Sequence, residues 1–284
     1  MPHAERLAIA IEIAREAGRA IVEARRNQDF SHRYKKGSEL VTDVDVAVDE
    51  LIARRLDEQF GDEPRLTEEL SPDESITDQQ GPLWIIDPID GTVNFAHGLS
   101  HVAVSIAWMK DGHTELGVVH APFLGETFSA LRGGGAWRHD ESGKDGQGEN
   151  PQRIRVSCAT SLARALVATG FPYRREGRAP LIRRLYHVLE HCQDLRRNGS
   201  AALDLCDVAC GRLDAYYESV SPWDFAAGML IAREAGARTG HLYDCPTGIP
   251  TDLYGENVIA CAPDLYQRLS ELLIRADTDS RDGQ

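Results

Sequence analysis

Asp87 and Asp90 stand three positions apart in the stretch LWIIDPIDGTVNFAHG, Leu83 to Gly98. Four apolar residues run straight into the first carboxylate, followed by Pro88, Ile89, the second carboxylate and Gly-Thr. Two like charges about 5 Å apart, at an effective dielectric of about 20, repel by about 3 kcal/mol. Either both face water or something positive sits between them. Carboxylate oxygens suit a hard divalent cation. Gly91 lets the backbone approach a ligand closely. Thr92 can cap a following helix, whose free N–H groups would bind an anion. One short loop therefore offers oxygens for a hard cation and N–H donors for a phosphate. Asp-Pro and Asp-Gly are also ordinary turn residues, so a purely structural reading stays open for this stretch alone.

Two more carboxylate features bear on the choice. Glu68 and Glu69 end the short apolar approach RLTEEL, although paired glutamates are also common on a solvated face. Asp224, in PWDFAAG, opens an apolar helical pattern, where the helix dipole favours a negative charge and a capping role would also suit it. The small residues Ala226, Ala227 and Gly228 that follow are what a close backbone approach needs. Other chemistry has less support. His97, His101, His113 and His120 are scattered without ligand spacing and read as surface or satisfied histidines. Ser105 and Ser200 lie outside any GxSxG context. LRGGGAW, Leu131 to Trp137, is neither a Walker loop nor a dinucleotide fingerprint and reads as a hairpin turn.

The elements that must position these residues follow from periodicity. Leu7, Ile11, Ala14, Ala17 and Ile21 mark a first amphipathic helix, and Val48, Leu51, Ile52, Leu56 and Phe60 a second, with KKGSELVTDVD between them as a loop. LWII is apolar on both faces, as in an internal strand, and Pro88 should stop that strand at Asp87. HVAVSIAWM, TELGVVHA and TFSALR continue the β pattern, and His139–Gln152 is a polar, glycine-rich run. Beyond it, RIRVS, ARALVAT, LDAYYE and ENVIACA read as strands. APLIRRLYHVLEHC, GSAALDLCDVACGR, SPWDFAAGMLIAREAG and DLYQRLSELLIRA read as helices. No internal repeat is visible.

A chain of 284 residues is long enough for one large domain or two closely packed halves. Its net charge of -14 argues against a general affinity for nucleic acid or anionic membrane. The six cysteines contain no CxxC pair and read as free thiols of a reducing compartment, with Cys206 and Cys210 as core packing. No apolar run approaches the roughly 20 residues of a membrane span. The N-terminus shows no basic stretch leading into an apolar one, so the expected location is the cytoplasm.

WIIDPIDGTVNF together with PWDFAAG resembles the two signatures of the inositol monophosphatase family, magnesium-dependent and lithium-sensitive phosphatases. LVTDVD, TEE and NGSAALDLCDVACGRLDAYYE resemble further family segments, so the resemblance spans almost the whole chain. It implies an α/β sugar-phosphatase fold of alternating α-β-α-β-α layers, with an N-terminal half over 1–150 carrying the metal-binding loops and a second half over 151–284 completing the site. The implied metal ligands are Glu68, Asp87, the carbonyl of Ile89, Asp90 and Asp224, holding two or three Mg²⁺ ions per subunit, with Mn²⁺ as a substitute. Thr92, oriented by Asp45, would position the attacking water together with Glu68. The N–H groups of Gly91 and Thr92 would hold phosphate oxygens, and Ile89, Asp90, Gly199, Ser200, Ala201 and Glu218 would contact the substrate. Lys36 falls near a family active-site lysine, in a loop two residues shorter here. The family's glycine before the paired glutamates is Thr67 in this chain, and a frequent second threonine is Val93.

The implied reaction is hydrolysis of a phosphate monoester by in-line attack of water, with no covalent protein intermediate. Inositol 1-phosphate leads the substrates. Fructose-1,6-bisphosphate, a 3′-phosphonucleotide and histidinol phosphate are the alternatives within the family pattern. A regulator that binds transcription machinery is the alternative outside enzymology. The resemblance further implies a homodimer and a small-molecule phosphate ester as partner, with no nucleic acid and no membrane.

Overall fold

The computed structural model describes residues 1–28, 30–34, 40–72, 81–141, 151–171 and 178–279. Helices and sheets alternate in five layers. The first layer is a pair of helices, α1 (His3–Asn27) and α2 (Asp43–Phe60). In α1, Ala10, Ile13, Ala14, Ala17 and Ile21 recur every three or four residues and are fully buried, which aims one stripe at the sheet beneath. Between the two helices a small antiparallel pair forms from β1 (His32–Tyr34) and β2 (Leu40–Thr42). The second helix starts at Asp43, inside the segment expected to be a loop, because Thr42 and Asp45 close a capping box there.

The second layer is a seven-stranded sheet. In spatial order its strands are β3 (Arg65–Thr67), β4 (Pro82–Asp90), β5 (Ala103–Lys110), β6 (His113–Ala121), β7 (Glu126–Leu131), β8 (Gly135–Asp140) and β9 (Gln152–Arg153). Only the β3–β4 pair is parallel. Strand β4 is buried on both faces. Trp84 and Ile86 pack toward α1 and α2, while Leu83 and Ile85 join the core on the opposite side. LRGGGAW is the β7–β8 hairpin, as its glycines suggested.

The middle layer holds α5 (Ala201–Ala209) and α6 (Pro222–Glu234). Helix α6 packs against both sheets and is apolar almost all round, as a helix enclosed by protein must be. Close approach explains its small residues. A Cβ on Gly228 would stand 2.8 Å from the Leu205 side chain of α5, and one on Gly117 of β6 would stand 2.7 Å from the carbonyl oxygen of Ala227.

The fourth layer is a five-stranded sheet in the order β11 (Asp194–Arg196), β10 (Leu166–Thr169), β12 (Ala215–Glu218), β14 (Val258–Cys261), β13 (Arg238–His241). The fifth layer is α4 (Arg178–His191) with α7 (Tyr266–Thr278), which pack on each other over the outer face of this sheet. The implied order of layers is therefore the observed one. Strands β11 and β13 were not anticipated, since both are short edges without an apolar alternation. Of RIRVS only Arg153 lies in a strand, as the second residue of β9, and Ile154 attaches to Ala136 by one further hydrogen bond of 3.0 Å. The boundary drawn at 150 falls in the run 142–150, outside the described residues.

Candidate metal centre

Strand β4 does not stop at Asp87. It continues to Asp90 with a bulge, Asp87 lying opposite Ser105 and Asp90 opposite Ala103, so three steps on β4 match two on β5. Pro88 sits in the bulge, where a missing N–H costs nothing. The bulge has a chemical consequence. In a regular strand, residues three apart face opposite sides. The extra residue turns Asp87 and Asp90 toward the same side. The Asp87 carboxylate also accepts the Ile89 N–H at 2.9 Å, which fixes the turn.

Asp224 arrives from α6, in the first helical turn, where one of its oxygens accepts the Ser221 N–H at 2.9 Å. It serves as cap and still joins the cluster: Asp87, Asp90 and Asp224 each offer an oxygen, all within 4.8 Å of one another. Glu68 is brought alongside by the parallel register of β3, Thr67 pairing with Ile86, so that Glu68, just past the end of β3, follows beside Asp87. The Glu68 N–H donates to the Ile86 carbonyl at 3.3 Å. Thr67 fits here: its hydroxyl accepts N–H bonds from Leu70 at 3.2 Å and Ser71 at 3.0 Å and closes the turn that carries both glutamates.

The charges are mutually unfavourable. Burial raises the Asp87 carboxyl well above the ordinary range, and Glu68, Asp90, Asp224 and Asp45 all push it the same way. Half-buried Asp224 is raised by desolvation and by Asp90 and Glu68. Asp90 rises to about 6 through burial, despite hydrogen bonds from Ser200 and Ala202 that oppose the shift. An all-oxygen set in this state has to hold protons or a hard cation, and the donor chemistry fits Mg²⁺ or Mn²⁺. Competition between the two gives a prediction. Mg²⁺ binding is expected to release protons from about pH 6, where the raised Asp90 carboxyl titrates, and to tighten as pH rises, because the raised carboxyls must ionise first. Calorimetry in buffers of different ionisation enthalpy reads this directly, and a heat independent of buffer would refute it. For the metal-free protein the sign is opposite. Carboxyls raised by folding contribute stability in acid, lost as pH climbs through the folded values.

Gly91 follows the bulge with φ of 97°. A Cβ there would meet the His101 carbonyl oxygen at 2.9 Å and that of Gly199 at 3.2 Å, so only glycine fits. Gly91 itself is the N-cap of the short helix α3 (Thr92–Ala96); Thr92 is its first residue rather than its cap. The Thr92 hydroxyl instead donates to Asp45 at 2.8 Å, closer than the Ile89 carbonyl at 3.1 Å. Asp45 is itself held by the Thr42 N–H at 2.8 Å, and burial raises its carboxyl against these hydrogen bonds.

The far wall comes from α5 and β12. Ser200 and the Ala202 N–H donate to one Asp90 oxygen at 2.6 and 2.7 Å. The Ser200 hydroxyl is buried and also caps α5, so it backs Asp90 rather than presenting a free group. Glu218 accepts the Tyr216 hydroxyl at 2.6 Å and is raised to about 7 by desolvation. A Cβ on Gly170 would stand 2.0 Å from its carboxylate. The sequence reading missed Gly170, Tyr216 and Asn94, whose amide ties the Asn198 and His101 carbonyls together at 2.8 and 2.7 Å. The period of two in YYE could have placed Tyr216 beside Glu218. Nothing local marks Gly170 or Asn94. Lys36 lies outside the described residues.

A second group, His101, Asp204 and Asp207, also lies within 4.8 Å. Asn198 holds Asp204 at 2.7 Å and Arg212 holds Asp207 at 3.2 Å, which makes it an internal network. His120 is a satisfied core histidine at 2.9 Å from the Thr127 hydroxyl, and burial lowers it to about 4.

A family model described as the inositol monophosphatase family matches residues 3–280. A Nus factor SuhB of Pasteurella multocida is 38% identical over 93% of this chain and 93% of its own. An inositol monophosphatase of Dictyostelium discoideum is 34% identical over 95% of this chain and 96% of its own. Among solved structures, an IMPase of Thermotoga maritima superposes with a TM-score of 0.80 at 29% identity, covering 96% of this chain and 98% of that one.

Proposed function

The chain belongs to the inositol monophosphatase family, and from that premise we propose that it hydrolyses a small polyol phosphate monoester, inositol 1-phosphate first, at the Asp87 cluster. The observation that carries the reading is three carboxylates from two distant segments held within 4.8 Å of one another, two of them buried.

Glu68, Asp87, Asp90, Asp224 and the Ile89 carbonyl would hold the metal ions. Bound Mg²⁺ supplies charge neutralisation on the phosphate and a lowered pKa for the attacking water. The protein's own groups do the positioning. The Thr92 hydroxyl has one hydrogen and gives it to Asp45, so its oxygen is left to accept a hydrogen from the water. Glu68, beside Asp87, is the carboxylate placed to take a proton. The N–H groups of Gly91 and Thr92 would steady phosphate oxygens. Asp90, Glu218 and the backbone of Gly199, Ser200 and Ala201 would line the organic part, Glu218 fixed by Tyr216. Lys36 stays in the proposal as a further active-site cation.

A panel of phosphate esters assayed with Mg²⁺, with and without Li⁺, tests the reading. Lithium-sensitive turnover fastest on inositol 1-phosphate is expected. A clear preference for fructose-1,6-bisphosphate, a 3′-phosphonucleotide or histidinol phosphate would replace that substrate, and no phosphate release from any ester would end the phosphatase reading. A homodimer and a cytoplasmic location belong to the same proposal. A second reading, a regulator of transcription, is favoured by the name Nus factor carried by a relative of 38% identity. Cellular function retained by a catalytically dead variant would select it. The net charge of -14 supports a protein partner over direct nucleic-acid binding in that case.

A further inference from the structure

Away from the metal centre, His241 at the end of β13 and Cys245 just beyond it form a pair. The Cys245 sulfur lies 3.3 Å from Nδ1 of His241, and Nε2 of the same ring lies 2.6 Å from the Tyr254 carbonyl oxygen. A carbonyl can only accept, so the ring proton sits on Nε2. In the neutral ring Nδ1 then carries a lone pair, and the thiol is the donor to it. A nucleophile touching a base whose other nitrogen is oriented by a third group is the arrangement that activates a thiol. The geometry points to Cys245 as a covalent modification site, a thiol for which His241 is the base, open to soft carbon electrophiles such as haloacetamides and α,β-unsaturated carbonyls.

Cys245 is partly exposed, so a small reagent reaches it. Burial and the neighbouring Asp244 raise its thiol above the ordinary value, so the cysteine rests as the thiol, and the base acts during attack. With iodoacetamide the S–H proton passes to Nδ1, the sulfur pair forms the S–C bond, and the C–I bond breaks with iodide leaving on its electrons. The imidazolium keeps its Nε2–H on Tyr254 and returns the Nδ1 proton to solvent. Backbone links run from the pair to the start of α6. Gly255, next to Tyr254, accepts the Val220 N–H at 2.9 Å, and Val220 precedes the Ser221–Asp224 cap.

Pulse labelling of the intact protein with iodoacetamide at neutral pH, read peptide by peptide by mass spectrometry, tests the assignment. Exposed Cys158 is the internal reference. Cys245 is expected to label at least about tenfold faster than Cys158, the low end or below of general-base effects. His241→Gln should bring it to within about twofold of Cys158, and Cys245→Ser should remove the fast phase with no change in folding. Wild-type Cys245 labelling no faster than Cys158 would overturn the proposal, as would undiminished speed in a folded His241→Gln variant.

Discussion

Asp87→Asn is expected to lower kcat for phosphate release by at least about a thousandfold, the equivalent of roughly 4 kcal/mol at the transition state. Asparagine keeps the volume and can still accept the Ile89 N–H, so the bulge survives. It removes one charge from the point where burial, Glu68, Asp90, Asp224 and Asp45 all raise the carboxyl. The same change should therefore stabilise the metal-free protein at neutral pH, raising its Tm by at least about 2 °C. A core substitution that kills activity while stabilising the apo protein is not the usual outcome, since most mutations destabilise. Melts with and without Mg²⁺ separate the effects: the wild type should gain stability on adding metal by mass action, the variant little. Retention of more than about a tenth of wild-type turnover would remove Asp87 from the proposed ligand set.

Thr92→Ala should cost about a hundredfold or more in kcat, within the range for positioned proton-handling groups. Its signature differs from that of Asp87→Asn. The metal-dependent rise in Tm should persist, because the hydroxyl donates to Asp45 at 2.8 Å and is not one of the proposed ligands. Thr92→Ser should restore most of the rate, since serine keeps the hydroxyl; loss of the methyl from this buried position should cost only about 1 kcal/mol in stability. Thr92→Ala within about threefold of wild type would mean that the Thr92–Asp45 bond merely ties α3 to α2.

Much of this site could be read before any coordinates. The DPIDG turn, the acid opening the AAG helix and the paired glutamates marked candidate oxygens from residue types and spacing. The helical and strand periods located most of the elements that hold them. What escaped the reading shares a cause. The bulge that aligns Asp87 with Asp90 depends on the pairing of β4 with β5, a partner that Pro88 does not name. Strands β11 and β13 exist because neighbours offer them hydrogen bonds, not because their residues alternate. Gly170 and Gly117 look like any other glycine until Glu218 and Ala227 close in on them.

Residue order alone determined the local terms: which stretches turn, which face of each helix is apolar, which side chains carry oxygen donors, and the family signature those stretches spell. Only the tertiary structure decided that Glu68, Asp87, Asp90 and Asp224 share one patch of low dielectric. Coulomb energy depends on distance and on the polarisability of what lies between. Both are set by packing α6 between two sheets, which brings Asp224 to Asp87 and Asp90 from more than a hundred positions away.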